Sequence, residues 1–405
     1  MNFKSDFLRE FQQRGFFAQT THAQELDKIL SEEKITAYIG FDCTAKSLHA
    51  GSLIQIMILR LLQKHGHKPL VLLGGGTTKI GDPSGKDEAR QVLSEEKIGE
   101  NLAGIKKTLE KFIKFGGGAT NAIIVNNNDW LKNLNYIDFL RDVGRHFSIN
   151  RMLTFDSVKA RLEREQPLSF LEFNYMILQA YDFYELNQKQ NCRLQIGGSD
   201  QWGNIVNGVE LTRRMSAKET FGLTSPLLTT ADGKKMGKTA DGAVWLDETM
   251  LSAFDYFQYF RNTHDADVGK FLRLFTDLEI SEIENLEKFQ GQEINKAKEI
   301  LAFEAVKICH GEKVANEVLQ KAQEIFISKN SAAYELKEAV LGAKLVDVIF
   351  EIGAAESKGA AKKLIEGKGV KINGEAVLDV QCAITDAGEF DLSIGKKKFF
   401  KISVK

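Results

Sequence analysis

The sequence predicts an α/β protein: a doubly wound parallel sheet through about residue 228, then an all-helical stretch, then a small α+β tail. Three observations lead there. Short apolar runs alternate with helix-period segments across the first half, the pattern of strands joined by crossover helices. From about 249 to 328 the strand-like runs stop, and only helical patterns such as 251–260 and 294–309 remain. The tail mixes two short helices with hairpin signals at Asn373-Gly374 and Ile394-Gly395.

Taken in order, residues 1–34 read as two amphipathic helices around Gly15. Residues 35–42 form a short apolar run suited to a buried parallel strand. Helical periodicity follows over 53–64, then a strand over 69–73 that runs into Gly74-Gly75-Gly76. A charged helix covers roughly 94–115, and 122–125 reads as a third strand. Helical segments occupy about 136–183, another strand spans 193–196, and a helix begins near Asp200. The expected domains are 1–228 for the sheet, 229–248 for a loop and linker, 249–328 for the helical domain, 329–341 for a connector and 342–405 for the tail. Open α/β sheets bind ligands at the carboxyl ends of their strands, where the polar motifs of this chain fall.

A chain of 405 residues is too long for one compact core. Its 54 basic and 55 acidic residues leave a net charge of −1, so any RNA contact has to come from a local patch. Cys43, Cys192, Cys309 and Cys382 are scattered without a C-x-x-C pair, which argues against structural zinc and a disulfide framework and suits a reducing cytosol. The first residues lack an apolar leader, and no run approaches the roughly 18 uncharged residues of a membrane span. A cytoplasmic protein with no membrane partner is expected.

Two short signals carry the chemistry. His49-Ala50-Gly51-Ser52 lies between the first strand and the helix that begins near Gly51. A helix N-terminus offers unpaired N–H groups and a positive dipole end to phosphate oxygens. Gly51 lets a flat adenine approach the backbone, and Thr44 and His49 are donors for a terminal phosphate. Alone, this tetrad reads rather as a capped helix with a surface histidine. The second signal, Lys235-Met236-Gly237-Lys238-Thr239, follows the turn Asp232-Gly233. Its two ammonium groups flanking Gly237 suit a loop that folds over a leaving pyrophosphate, where cations act on the transition state. Alone, it reads as a solvated loop.

Gly81-Asp82-Pro83-Ser84-Gly85-Lys86 is not a P-loop, because three residues separate its glycines and Asp87 follows the lysine. Gly74-Gly75-Gly76 does not complete a dinucleotide fingerprint, since Lys79 stands where the last glycine belongs. Lys86 and Arg90, one helical turn apart, add two cations.

Longer signatures make the resemblance specific. Tyr38-Ile39-Gly40-Phe41-Asp42-Cys43-Thr44-Ala45 followed by Ser47-Leu48-His49-Ala50-Gly51, Tyr175-x-x-x-Gln179-Ala180-Tyr181-Asp182, and Gln195-Ile196-Gly197-Gly198-Ser199-Asp200-Gln201-Trp202-Gly203-Asn204 together resemble the bacterial tyrosyl-tRNA synthetases, of class I. That resemblance implies a Rossmann-like catalytic domain with a KMSKS-type loop over 229–248. It also implies activation of L-tyrosine with ATP to tyrosyl-adenylate and pyrophosphate, then transfer to the 3′ end of tRNA(Tyr). Asp182 and Tyr38 resemble the family's pair for the phenolic hydroxyl, and Asp82, Tyr175 and Gln179 its group for the ammonium. Tyr175, Gln179 and Asp182 fall at i, i+4 and i+7, on one helix face. Gln195 and Gln201 line the same pocket. The ATP set is Gly40, Asp42, His49, Gly51, Ser52, Gly198, Asp200, Leu227, Leu228, Lys235 and Lys238, and the catalytic set is Thr44, His49, Lys86, Arg90, Lys235, Lys238 and Thr239. Mg²⁺ is expected with ATP, held by phosphates and water, with no dedicated protein metal site.

Three departures stand out. Ser52 occupies the place of a family His or Asn, Cys43 that of a common proline, and Gly237 and Thr239 those of two serines. In the tail, Leu345 to Glu351, Ser357-Lys358-Gly359-Ala360-Ala361-Lys362-Lys363-Leu364-Ile365 and Val370-Lys371-Ile372-Asn373-Gly374 resemble an S4-type RNA-binding module, with Lys358, Lys362 and Lys363 spaced for phosphates. The family also implies a homodimer joined through about 130–165, with tRNA(Tyr) rather than DNA as partner. A tryptophanyl-tRNA synthetase is the nearest rival. The others are a synthetase-derived RNA-binding protein without catalysis and a small nucleotidylyltransferase.

Overall fold

The computed structural model describes residues 1–83, 93–231, 233, 236–239, 242–332, 334–373, 375–385, 387–395 and 398–404. The chain divides into two compact units, Met1–Asn316 and Glu317–Lys405.

The first unit is built on strands β1 (Gln19–Thr20), β2 (Thr36–Phe41), β3 (Lys68–Leu73), β4 (Ile123–Asn126), β5 (Cys192–Gly198) and β6 (Phe221–Ser225). Their order is β1-β6-β5-β2-β3-β4, parallel except for β1 against β6. The expected doubly wound sheet is therefore present. The chain winds outward from β2 through β3 to β4, then returns to lay β5 and β6 on the other side. The switch point lies between β2 and β5, and there the strand ends diverge to leave a crevice. β6 escapes the sequence pattern because Phe221-Gly222-Leu223-Thr224-Ser225 is buried throughout yet holds few large apolar groups.

The helix Leu53–Lys64 is apolar nearly all round, and it packs on both β3 and the helix Val268–Phe275. Through that second contact the helix Val268–Phe275, within the stretch expected as a helical domain from 249, packs on the sheet-bearing part of the chain. It belongs to the same compact unit up to Asn316. Val268–Phe275 buries Phe271, Leu272, Leu274 and Phe275. Arg14, only 5% exposed, donates to the carbonyls of Arg273 (3.1 Å), Thr276 (2.9 Å) and Leu278 (2.8 Å). The carbonyls at a helix end need such donors when they are removed from water. Glu10 pairs with Arg14 at 2.7 Å and accepts from Lys64 and His65 at 2.8 Å. Burial by itself would raise the Glu10 pKa, but these three donors outweigh it and hold the carboxyl far below its usual range.

The second unit is a five-stranded sheet with two short helices, Leu345–Glu351 and Lys358–Glu366, over a core that includes Leu345, Ile349, Ile365, Leu392 and Ile402. Residues 329–341, expected as a connector, begin in a helix and continue in a strand. The helix Glu312–Ala332 runs into them, and Tyr334–Ala339 pairs in parallel with Lys398–Val404 at the sheet edge. An edge strand tolerates charge on its wet face, so Tyr334-Glu335-Leu336-Lys337-Glu338-Ala339 passes for a linker in sequence. No helix among the described residues is long and apolar enough to cross a membrane.

Arg14→Ala should destabilise the protein by about 3 kcal/mol, because it strips donors from buried carbonyls and leaves Glu10 short of a partner. Arg9→Ala, which removes an exposed pair with Asp6, is the control and should leave the urea midpoint within error of the parent.

Candidate active site

A cavity of about 570 Å³ opens at the carboxyl ends of β2 and β5. Every expected tyrosine-pocket residue lines it, together with Gly40, Asp42, Thr44, His49, Gly51, Ser52, Gly198, Asp200, Leu227 and Leu228. Lys86, Arg90 and Lys235 lie outside the described residues. Lys238-Thr239 is described as backbone, a two-residue strand paired with Gly242–Ala243.

The closed end is organised by the helix Phe170–Gln190. A capping box between Ser169 and Glu172 starts this helix, and the buried Arg161 guanidinium pairs with Glu172 at 3.2 Å. Tyr175, Gln179 and Asp182 follow along the face turned to the cavity. Asp182 is 1% exposed, and each of its oxygens has a fixed donor: Trp130 Nε1 at 2.8 Å and Asn127 Nδ2 at 2.9 Å. Asn127 also donates to Thr77 Oγ1 (3.0 Å) and accepts from the Gly76 N–H (2.8 Å). Asn127 and Trp130 are absent from the sequence-based site. Their one signal was position, just past the carboxyl end of β4.

Burial pushes the Asp182 carboxyl from 3.8 up to about 7, against the pull of the Asn127 and Trp130 hydrogen bonds. Burial, with the Asp182 charge nearby, holds the Tyr38 hydroxyl well above its ordinary value. The Tyr38 ring packs on Phe183 at 5.3 Å, and neither its hydroxyl nor Gln195 Oε1 has a hydrogen-bond partner among the described residues. Buried polar groups without partners are costly, so a cavity edged by two of them is shaped for a polar ligand.

The remaining wall is a relay of amides. Asn204 Nδ2 donates to Gln179 Oε1 (3.0 Å) and Gln201 Oε1 (3.1 Å), and Gln201 Nε2 donates to Asp82 Oδ2 (2.9 Å). Asn204, also missed as a site residue, fixes which way both glutamines face. The Tyr175 hydroxyl reaches Asp42 Oδ1 at 3.4 Å, which ties one expected ATP residue to the ammonium group of residues.

The mouth corrects one expectation. The N–H groups around Gly51 are not unpaired. Ala50 donates to the Val244 carbonyl (2.7 Å), Gly51 to His49 Nδ1 (3.0 Å) and Ser52 to the His49 carbonyl (2.8 Å), in a 3₁₀ turn ahead of Leu53–Lys64. An accepting Nδ1 leaves the proton of the neutral ring on Nε2. A Cβ on Gly51 would stand 2.7 Å from His49 Cε1 and 3.0 Å from the Met236 carbonyl. Gly237, at φ +92°, sits where a Cβ would overlap the Gly51 backbone. The two signals therefore meet, and both glycines are required by that approach.

In the second unit, Lys358, Lys362 and Lys363 are exposed on the helix Lys358–Glu366. Lys358 is bound to Asp347 at 2.7 Å, so one of the three expected cations already has a partner.

Residues 30–327 match the family of tRNA synthetases class I (W and Y). The tyrosine–tRNA ligase of Wolbachia pipientis subsp. Culex pipiens is 60% identical over all of this chain and 99% of its own length. That of Ehrlichia ruminantium is 58% identical over 99% of each. The chain belongs to the tyrosine–tRNA ligase family. Its membership separates it from the tryptophanyl rival and from small nucleotidylyltransferases. Residues 344–381 match the S4 domain, as expected of the tail. A C-terminally truncated mitochondrial tyrosyl-tRNA synthetase from Aspergillus nidulans superposes with a TM-score of 0.72 at 31% identity, covering 80% of this chain and 94% of that one.

The raised Asp182 pKa gives a pH test of this site in the ligand-free protein. A carboxyl whose folded pKa lies above its unfolded one contributes stability that is complete below the unfolded value and lost as pH rises through the folded one. The Asp182 contribution should therefore decline between about pH 4 and pH 7. Urea denaturation across that range should show a shallower decline in Asp182→Asn than in the parent. Equal slopes would mean that Asp182 is not held in the raised state.

Proposed function

We propose that the chain attaches L-tyrosine to tRNA(Tyr) in two steps, and the observation that carries this is one cavity lined by both the buried Asp182 carboxylate and the unpartnered Tyr38 hydroxyl. A phenol fits there: its O–H donates to Asp182 and its oxygen accepts from Tyr38. Asp82, Tyr175 and Gln179 receive the ammonium, while Gln195 and Gln201 complete the wall. The substrate carboxylate is then left pointing to the mouth.

In the first step a carboxylate oxygen bonds to the α-phosphorus of ATP, the bridging bond to the β-phosphate breaks, and pyrophosphate leaves. In the second, the terminal ribose hydroxyl of tRNA attacks the carbonyl carbon and AMP leaves. No side chain serves as nucleophile, and the protein supplies placement and charge. Gly40, Asp42, Gly51, Ser52, Gly198, Asp200, Leu227 and Leu228 hold the adenosine. Thr44 and His49, with Lys86, Arg90, Lys235, Lys238 and Thr239, meet the phosphates, and the Nε2 proton of His49 is suited to that task. Mg²⁺ accompanies ATP on phosphate oxygens and water.

The chain acts as a homodimer in the cytoplasm. The dimer is supported by exposed apolar side chains on and beside the 130–165 segment: Tyr136, Ile137, Leu140, Ile149, Leu153 and Phe170. A monomer rarely leaves so many large apolar groups together in water. Lys362 and Lys363 of the S4 domain contact tRNA phosphates. The cytoplasm is supported by four free thiols and bacterial relatives.

Lys235→Ala and Lys238→Ala should each lower kcat of tyrosine-dependent ATP–pyrophosphate exchange at least tenfold while tyrosine affinity without ATP stays within twofold. An equal fall in affinity would make the loop a structural element instead.

Ending the chain after Ala332 should leave exchange intact and weaken tRNA charging severely, with a shallower salt dependence of tRNA binding. Full charging by the shortened chain would remove the S4 domain from RNA recognition.

A further inference from the structure

The described shoulders of the lysine loop are tied to the helical part of the first unit by three side chains. Asp267, 5% exposed, accepts the Ala231 N–H on Oδ2 at 2.7 Å. It stands at the N-cap of the helix Val268–Phe275, where an aspartate ordinarily turns back onto the N–H groups of its own first turn. Here it makes no such bond and reaches across to Ala231 instead. Lys270, on the same helix, donates from Nζ to the Thr229 carbonyl at 2.8 Å. On the far side of the loop, the Tyr259 hydroxyl accepts the Gly237 N–H at 3.3 Å. Tyr259 belongs to the preceding helix, Ala253–Arg261, with its ring edge-on to Phe260 at 5.2 Å. Gly237 is thereby set against Gly51 and His49, with no room for a side chain between them.

We propose that Asp267 and Tyr259 are positioning residues for adenylate formation, fixing the two sides of the lysine loop so that its ammonium groups meet the leaving pyrophosphate. The proposal rests on the reading of Lys235 and Lys238 given above. Neither residue lines the cavity. Both act through backbone amides of the loop, so their loss should appear in kcat and leave the tyrosine pocket unaffected.

The test uses the full-length protein and tyrosine-dependent ATP–pyrophosphate exchange. Asp267→Ala should lower kcat about tenfold, the rate equivalent of one hydrogen bond to a charged acceptor, and leave tyrosine affinity without ATP within twofold. Asp267→Asn, which keeps an acceptor oxygen, should recover most of the rate. Tyr259→Phe keeps the ring packing, guards against a folding artefact, and should cost about threefold. In a Lys235→Ala background, Asp267→Ala should cost less than twofold, because its effect is transmitted through that lysine. A tenfold loss in both backgrounds, an unchanged kcat in Asp267→Ala and Tyr259→Phe, or no recovery in Asp267→Asn would each overturn the proposal. A parent protein without tyrosine-dependent exchange would instead overturn the underlying function.

Discussion

A carboxylate buried beside an apolar sheet is the constraint on which the rest of the site depends. Asp182 is removed from water almost completely, and burying an isolated charge costs far more than a typical domain can supply unless donors replace the solvent. Asn127 and Trp130 are those donors, and they come from the segment just after β4. Their bonds to Asp182 fix the register of the helix Phe170–Gln190 against that end of the sheet. Tyr175 and Gln179 on the same helix are positioned as a consequence. The donors compensate the charge only in part, which is why the carboxyl remains protonated to an unusually high pH in the ligand-free state.

At the opposite end of the cavity, backbone proximity does the organising. His49 caps its own turn, and Gly51 and Gly237 let two loops far apart in sequence come into contact. The helical stretch is part of this arrangement rather than an appendage. Arg14 ties it to the first helix of the chain, while Asp267, Lys270 and Tyr259 tie it to the lysine loop. The two ends of the cavity thus rest on different supports, a buried charge at one and loop anchorage at the other.

The regular elements were legible where one periodicity dominated. The helix Leu53–Lys64 and the strands β2 and β3 are predominantly apolar, β5 alternates apolar with polar side chains, and the structure has all four within a few residues of the expected limits. Elements whose burial comes from small or polar residues were not legible. β6 contains Gly222, Thr224 and Ser225, and Tyr334–Ala339 is half charged. Among site residues, those within long family signatures could be named from sequence. Asn127, Trp130 and Asp267 could not, because each matters through a partner distant in the chain, and Asn204, although inside one such signature, was missed because its role is to orient Gln179 and Gln201. The occupied N–H groups around Gly51 were hidden for the same reason, since Val244 supplies one of their acceptors.

The specificity of the unmodified protein toward the amino acid tests the role of the buried carboxylate most directly. ATP–pyrophosphate exchange should be measured at neutral pH with tyrosine, phenylalanine and tryptophan in turn. Phenylalanine leaves the Tyr38 hydroxyl buried without a partner and sets a C–H edge against the Asp182 carboxylate, so kcat/KM for tyrosine should exceed that for phenylalanine by at least about a hundredfold, with no exchange supported by tryptophan. Comparable kcat/KM values for tyrosine and phenylalanine would contradict the assignment of Asp182 and Tyr38 to the phenol.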